Sequence, residues 1–462
     1  MTTDADHRHD PKPPGTTAHR DGHRATATGH PDGPATTGTA GHDPGRADTA
    51  PATLPGRLAT ATGPADGNRA TDTTDRRDGH TTTGTSTAHR DGPTPTGTDQ
   101  LSAESVRHAA KVAGRDLDEM QARHRLSTET AAAVVAAGFA RHFVPREFGG
   151  TAGSFAALLS ASAELARTCA STAWCATLYA AHGRFAGYLP APGQRALWAG
   201  SPDVPIAASI MPPQGEAERT ATGWRIRGRW AFASGADHAE WLLLACRTQD
   251  AGRPEHRLFA VPRAEAEVLD SWRSLGMRAT GSHAVEVAGA EVPAHLTLTM
   301  DDLARPRPGA ERCHTVPPLL AGALMFAAPA LGAAEAALAV WSAGLAARTG
   351  TGAGRSAEAE RVLARSSAEI GAARLLLERA ADRADHAEVT PLLVAENRRD
   401  SVAAAQMCAA ATDRIFRAAG SRAHAEDSAL QRCWRDVSTA VSHAALGPES
   451  AAAAYAAAVL GA

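Results

Sequence analysis

The stretch Trp224-Arg-Ile-Arg-Gly-Arg-Trp-Ala-Phe-Ala-Ser-Gly-Ala-Asp-His-Ala-Glu-Trp241 decides how the chain is read. Apolar Trp224, Ile226 and Trp230 alternate with arginines, the period of a half-buried strand. Gly223 and Gly228 mark a tight turn, and aromatic side chains converge on the small pair Ser234-Gly235, where a flat ring has room to lie. The period stays near two from about Ile206 to Met300, with Trp241–Leu244, Leu258–Val261 and Ala284–Val287 as further short strands between Gly and Pro turns.

Outside that window the period is 3.6. Val106, Ala109, Ala110, Ala113, Leu117 and Met120 recur at three and four, Ser127 with Thr130 opens a second run, and Phe143-Val-Pro-Arg-Glu-Phe-Gly-Gly150 breaks the pattern before it resumes from Phe155 to Tyr188. Beyond Val316 no strand pattern survives, and Ala- and Leu-rich stretches near 317–348, 356–386, 390–419 and 428–460 predict a four-helix bundle. The expected fold is mainly α with a β insert: a helical domain over 101–205, a β-barrel-like domain over 206–314 and a helical bundle over 315–462.

Residues 1–100 contain no Val, Ile, Phe, Trp, Tyr or Cys. Such a segment cannot bury enough surface to offset its ordering entropy, so it is expected to be a disordered low-complexity tail. Its repeated Ala-His-Arg-Asp-Gly (18–22 and 88–92) and scattered histidines have no metal-ligand spacing, and it lacks the apolar core of a signal peptide. A start codon assigned upstream of the folded protein would also produce it. A formal charge of -3 leaves no nucleic-acid footprint. No uninterrupted apolar run is expected to span a membrane. The six cysteines form no Cys-x-x-Cys pair and read as reduced, buried thiols of a cytoplasmic protein.

Among chemistry-bearing residues, Trp174 and His182 lie two helical turns apart on one apolar segment, although a lone histidine there is more often a satisfied core residue. Ser209 precedes Ser234 by 25 positions, and either hydroxyl is also at home in an ordinary turn. The turn Thr280-Gly281-Ser282-His283 can converge backbone N–H groups on an anion or be a plain β-turn. Gly350-Thr-Gly-Ala-Gly-Arg355 misses the dinucleotide-loop spacing and follows no strand, so it reads as a helix connection. No NAD(P)H site is evident.

Taken together, Trp-x-Phe-x-Ser-Gly-x-Asp-His-x-x-Trp at 230–241, Ser-x-Ala-Trp at 171–174, Gly-x-Arg-x-Thr-Gly-Ser at 276–282 and Arg-x-x-Arg-Asp at 432–436 resemble the acyl-CoA dehydrogenase superfamily over nearly all of 101–462. More narrowly they resemble its two-component flavin-dependent monooxygenase branch, the group that includes 4-hydroxyphenylacetate 3-hydroxylase oxygenase components. Where dehydrogenases carry a Glu base, this chain has Ala444, with His443 beside it.

The resemblance implies that reduced flavin (FMNH2 or FADH2) arrives from a separate NAD(P)H:flavin reductase. It then reacts with O2 to a C4a-hydroperoxyflavin and oxygenates an aromatic or natural-product substrate. Trp174, Ser209, Phe232, Ser234, Thr280, Gly281 and Ser282 are the implied cofactor contacts. His443, Ser234 and His182 are the implied catalytic residues, with His443 accepting a phenolic proton or steadying an oxyanion. It also implies a homotetramer. Acyl-CoA dehydrogenase-type desaturation, amine or amino-sugar N-oxygenation and a non-enzymatic flavin-binding subunit stay open as alternatives.

Overall fold

The computed structural model describes residues 101–461 apart from 251, 306 and 351–355, so the expected N-terminal tail and most of the Gly350–Arg355 connection lie outside the described residues. Six helices come first: α1 (Ala103–Arg115), α2 (Leu117–Arg123), α3 (Thr128–Ala136), α4 (Phe155–Ala166), α5 (Ala170–Ala186) and α6 (Ala191–Trp198). Ser102, Ser127 and Ser154 each accept a backbone N–H of the following first turn, which sets the starts of α1, α3 and α4.

Eight strands follow: β1 (Ile206–Ser209), β2 (Glu216–Arg219), β3 (Gly223–Trp230), β4 (Trp241–Asp250), β5 (Arg253–Pro262), β6 (Glu267–Leu269), β7 (Ala284–Pro293) and β8 (Thr297–Thr299). They form two four-stranded sheets, ordered β1-β4-β5-β8 and β2-β3-β7-β6, and not one closed barrel. Trp224, Ile226, Trp230, Val285 and Val287 of one sheet share a core with Leu242, Leu244 and Phe259 of the other. Gly228 corrects a local expectation. It lies inside β3, at a bulge against β7 with φ +138, and not in a turn.

Helices α7 (Arg312–Thr315), α8 (Pro318–Gly350), α9 (Ala357–His386), α10 (Pro391–Ala419), α11 (Ala429–Ala440) and α12 (Pro448–Leu460) complete the chain. The expected fourth bundle helix is thus two. Pro448 has no N–H and disfavours helical backbone before it, so the chain turns over 441–447, and that turn carries His443.

A second correction concerns α8. Its Pro318–Arg348 segment is long and apolar enough to cross a membrane by length and composition. Most of that surface is nevertheless buried, against α4, α9, α10 and α11. Its one acid, Glu335, is held by Arg167 at 2.9 Å and Arg374 at 2.6 Å. An apolar helix surrounded by helices has the composition of a span without lipid around it.

Candidate active site

Two clusters lie against α5. The first is built where the loop after β3 meets the loop before β7. Their backbones are zipped together: the Ala233 N–H donates to the His283 carbonyl and the Gly235 N–H to the Thr280 carbonyl, both at 2.9 Å. Gly235 has φ +73, and a Cβ there would come within 2.7 Å of the Tyr179 hydroxyl. From α5, Tyr179 Oη donates to the Gly235 carbonyl at 2.8 Å, and Cys175 Sγ to the Thr280 carbonyl at 3.4 Å.

This frame aligns three buried hydroxyls. Ser234 Oγ is 2.7 Å from Ser282 Oγ, which is 2.7 Å from Thr280 Oγ1. Thr280 in turn donates to the Met277 carbonyl at 2.8 Å. Each hydroxyl has a single proton. With Thr280's spent on Met277, Ser282 must donate to Thr280 and Ser234 to Ser282. The chain therefore ends on Ser234 lone pairs, which can only accept. Reduced flavin presents ring N–H donors along its edge, so this end complements it.

Phe232, two residues earlier, is 65 % exposed, adopts φ 62, and meets Trp272 edge-on at 6.2 Å. A bulky residue at positive φ is strained, a cost tolerated where an aromatic face must be presented. Ser209 lies close by, yet its hydroxyl donates to the Ala231 carbonyl at 2.7 Å. Its proton is thus committed to tying the end of β1 to this loop and not to a ring edge. Gly281 has φ 53, which leaves its neighbours Thr280 and Ser282 on the same hydroxyl chain. His283 is buried and accepts the N–H groups of Ser271 and Trp272 at 3.1 and 3.0 Å through Nδ1, so it shapes the turn.

The second cluster is aromatic. His443 stacks on Phe326 with ring centroids 3.9 Å apart, and Trp174 meets His443 edge-on at 5.6 Å and Phe326 at 5.1 Å. His443 stays exposed on its remaining side, while the apolar rings push its pKa down by desolvation, so the neutral form holds at pH 7. Its Nδ1 accepts the Ala445 N–H at 3.2 Å. The proton of the neutral ring therefore sits on Nε2, so that this nitrogen faces outward as a donor, the form suited to an oxyanion.

Helix α11 joins the clusters. Asp436 accepts the Met277 N–H at 2.6 Å and Thr439 the Gly276 N–H at 3.1 Å, while Arg435 donates to the Leu275 carbonyl at 3.0 Å. His182 is not gathered with them. It lies two turns beyond Trp174, roughly 12 Å along α5. There it is buried, and its Nδ1–H donates to the Ile206 carbonyl at 2.9 Å. Burial lowers its pKa to about 4, the state of a strand anchor kept neutral.

Tyr179, Cys175, Phe326 and Trp272 escaped the sequence reading, and Asp436 entered it only as the last residue of the Arg-x-x-Arg-Asp motif, with no role of its own. Tyr179, Cys175 and Phe326 merge into apolar helical runs.

Comparison with known proteins bears on this geometry. The family models "Acyl-CoA dehydrogenase, N-terminal domain" and "Acyl-CoA dehydrogenase, C-terminal domain" match residues 96–190 and 324–448. The FADH(2)-dependent resorcinol hydroxylase oxygenase component of Rhizobium sp. (strain MTP-10005) is 36% identical over 205 residues, 43% of this chain and 50% of that protein, so the match spans half of that relative's length. The flavin-dependent monooxygenase oxygenase subunit HsaA of Rhodococcus jostii (strain RHA1) is 30% identical over 350 residues, 72% of this chain and 91% of that protein. The structure of XiaF from Streptomyces sp. in complex with FADH2 and glycerol superposes with a TM-score of 0.73 at 26% identity, covering 78% of this chain and 94% of that one. With similarity running through helical, sheet and bundle segments alike, this chain belongs to the flavin-dependent monooxygenase oxygenase components built on the acyl-CoA dehydrogenase fold.

Proposed function

We propose that this oxygenase component hydroxylates a phenolic or otherwise electron-rich aromatic substrate, using reduced flavin delivered by a separate flavin reductase. When bound, reduced flavin supplies the electrons and carries the oxygen atom taken from O2. The residues of this chain provide acceptor lone pairs at Ser234, an exposed ring at Phe232, and a neutral Nε2–H donor at His443. The observation that carries the reading is the pairing of an acceptor-only hydroxyl chain with a donor-only histidine.

A phenol oxygen that has released its proton to solvent gains a charge-assisted hydrogen bond from His443 Nε2–H. As the para or ortho carbon is attacked, the ring's negative charge is drawn from that oxygen, and the donor holds the substrate in register. Resorcinol, named for the Rhizobium relative, is a phenol and supports this class. The residue in the dehydrogenase base position, Ala444, has no proton-abstracting group, which disfavours desaturation. Wild-type chain should convert phenols to catechol-type products with chemically reduced flavin and O2, and acyl-CoA should leave bound oxidised flavin unreduced. Bleaching of flavin by acyl-CoA without oxygen would restore the desaturase reading.

A homotetramer in the cytoplasm is also part of this proposal. Exposed Leu375, Leu392, Val459 and Leu460 on the bundle helices support self-association.

A further inference from the structure

The Met277 peptide is a crossing point. Its N–H goes to Asp436 Oδ1 at 2.6 Å, and its carbonyl accepts Thr280 Oγ1 at 2.8 Å and Trp272 Nε1 at 3.1 Å. Thr280 starts the hydroxyl chain that ends on Ser234, and Trp272 backs Phe232. The contact between loop and helix is close: a Cβ on Gly276 would lie 2.0 Å from the Arg435 carbonyl oxygen. Asp436 is 3% exposed and stands seven positions before His443.

We propose that Asp436 is a positioning residue for oxygenation. Through the Met277 peptide it fixes the hydroxyl chain and the Trp272–Phe232 pair, and through α11 it sets their spacing from His443. The proposal rests on the flavin reading above.

The site is a poor place to put a carboxylate for stability alone. Burial raises its pKa from 3.8 to about 6, against the opposing pull of the Met277 N–H, of Arg435 and Arg432 on its own helix, and of Arg278 on the loop. The thiols of Cys169 and Cys433 also face it, and burial keeps both protonated. A folded pKa above the unfolded one means that the folded chain holds this proton more tightly. Its contribution to stability is therefore full below the unfolded value and is lost as pH rises through about 6. At neutral pH the charge costs the fold, so stability and positioning can be separated.

The test uses the full chain. Anaerobic titration gives the Kd for reduced flavin, and product formed per reduced flavin consumed gives coupling. Asp436→Ala should weaken flavin binding and lower coupling by about 10-fold each, with Tm at pH 8 little changed, because loss of the bond is offset by relief of the buried charge. Asp436→Asn keeps an acceptor for the Met277 N–H and should restore both readouts to within about threefold of wild type. Wild-type flavin binding and coupling in a folded Ala variant would overturn the proposal, as would an Asn variant as defective as Ala. Should the Ala variant fail to fold, Thr439→Val removes the companion bond to Gly276 and should shift both readouts about threefold in the same direction. No shift there overturns it. A wild-type chain that binds no reduced flavin overturns the flavin reading, and this proposal with it.

Discussion

At Ser234 the direction of one hydroxyl proton determines what the side chain can hold. With that proton on Ser282, the residue accepts only, and a partner N–H loses its bond when the oxygen is removed. Ser234→Ala should lower coupling of reduced-flavin oxidation to product by up to about 10-fold, with the shortfall appearing as hydrogen peroxide. Unchanged coupling in the folded variant removes Ser234 from the site. His443 is tested by the same logic. His443→Ala should lower kcat/KM for a phenol by roughly 10- to 100-fold, the loss of a hydrogen bond to a charged group. His443→Gln places an amide N–H at a similar reach and should recover most of that loss. A general base would instead leave Gln as impaired as Ala, which pH–rate profiles of the three enzymes would expose. Ser234, Thr280, Ser282, Trp174 and His443 were legible in the sequence while Phe326 was not, and the donor or acceptor role of each polar group was not legible at all. Those roles depend on Met277, Ala231 and Ala445, backbone partners that no side-chain pattern marks.

Helix α11 and the 275–282 loop behave as one element, held by three hydrogen bonds over three consecutive residues. Gly276→Ala would drive a methyl into the Arg435 carbonyl and should cost on the order of 1–3 kcal/mol while weakening reduced-flavin binding. Thermal unfolding and anaerobic titration check both effects, and a neutral substitution would mean that the loop is not clamped. At this scale the sequence was legible where one period runs unbroken. The long bundle helices and the strands around Trp224, Leu242 and Phe259 follow from it. It failed where composition hides punctuation. The Ala-rich run of 428–460 conceals Pro448, and with it the turn that exposes His443. His182 shares an apolar helix with Trp174, and periodicity could not tell a strand anchor from a catalytic group.

Among the described residues, buried histidines couple stability to pH, His142, His182 and His314 most strongly and His283 in the same direction. Burial lowers the pKa values of His142, His182 and His314 from 6.5 to about 4. The unfolded chain therefore takes up protons at a higher pH than the folded one, and stability present above 6.5 is lost as pH falls toward about 4. Each such shift is worth about 3 kcal/mol over that window. Tm should fall steadily across it, and a flat Tm would mean that these rings are hydrated. A chain beginning at Gln100 should keep its secondary structure and turnover, since residues 1–100 contain none of the aromatic or β-branched apolar residues that build the core. Loss of folding on that truncation would overturn the proposed boundary.

The proposed reaction places oxygen from O2 on an aromatic substrate with electrons that the chain receives ready-made in reduced flavin. The direct measurement mixes the chain with chemically reduced flavin, a panel of phenols and isotopically labelled dioxygen, with no NAD(P)H and no reductase. A hydroxylated product carrying a single labelled oxygen atom is expected. Complete oxidation of the reduced flavin with all of its electrons recovered as hydrogen peroxide, no label in any phenol and the fold intact would overturn that reaction.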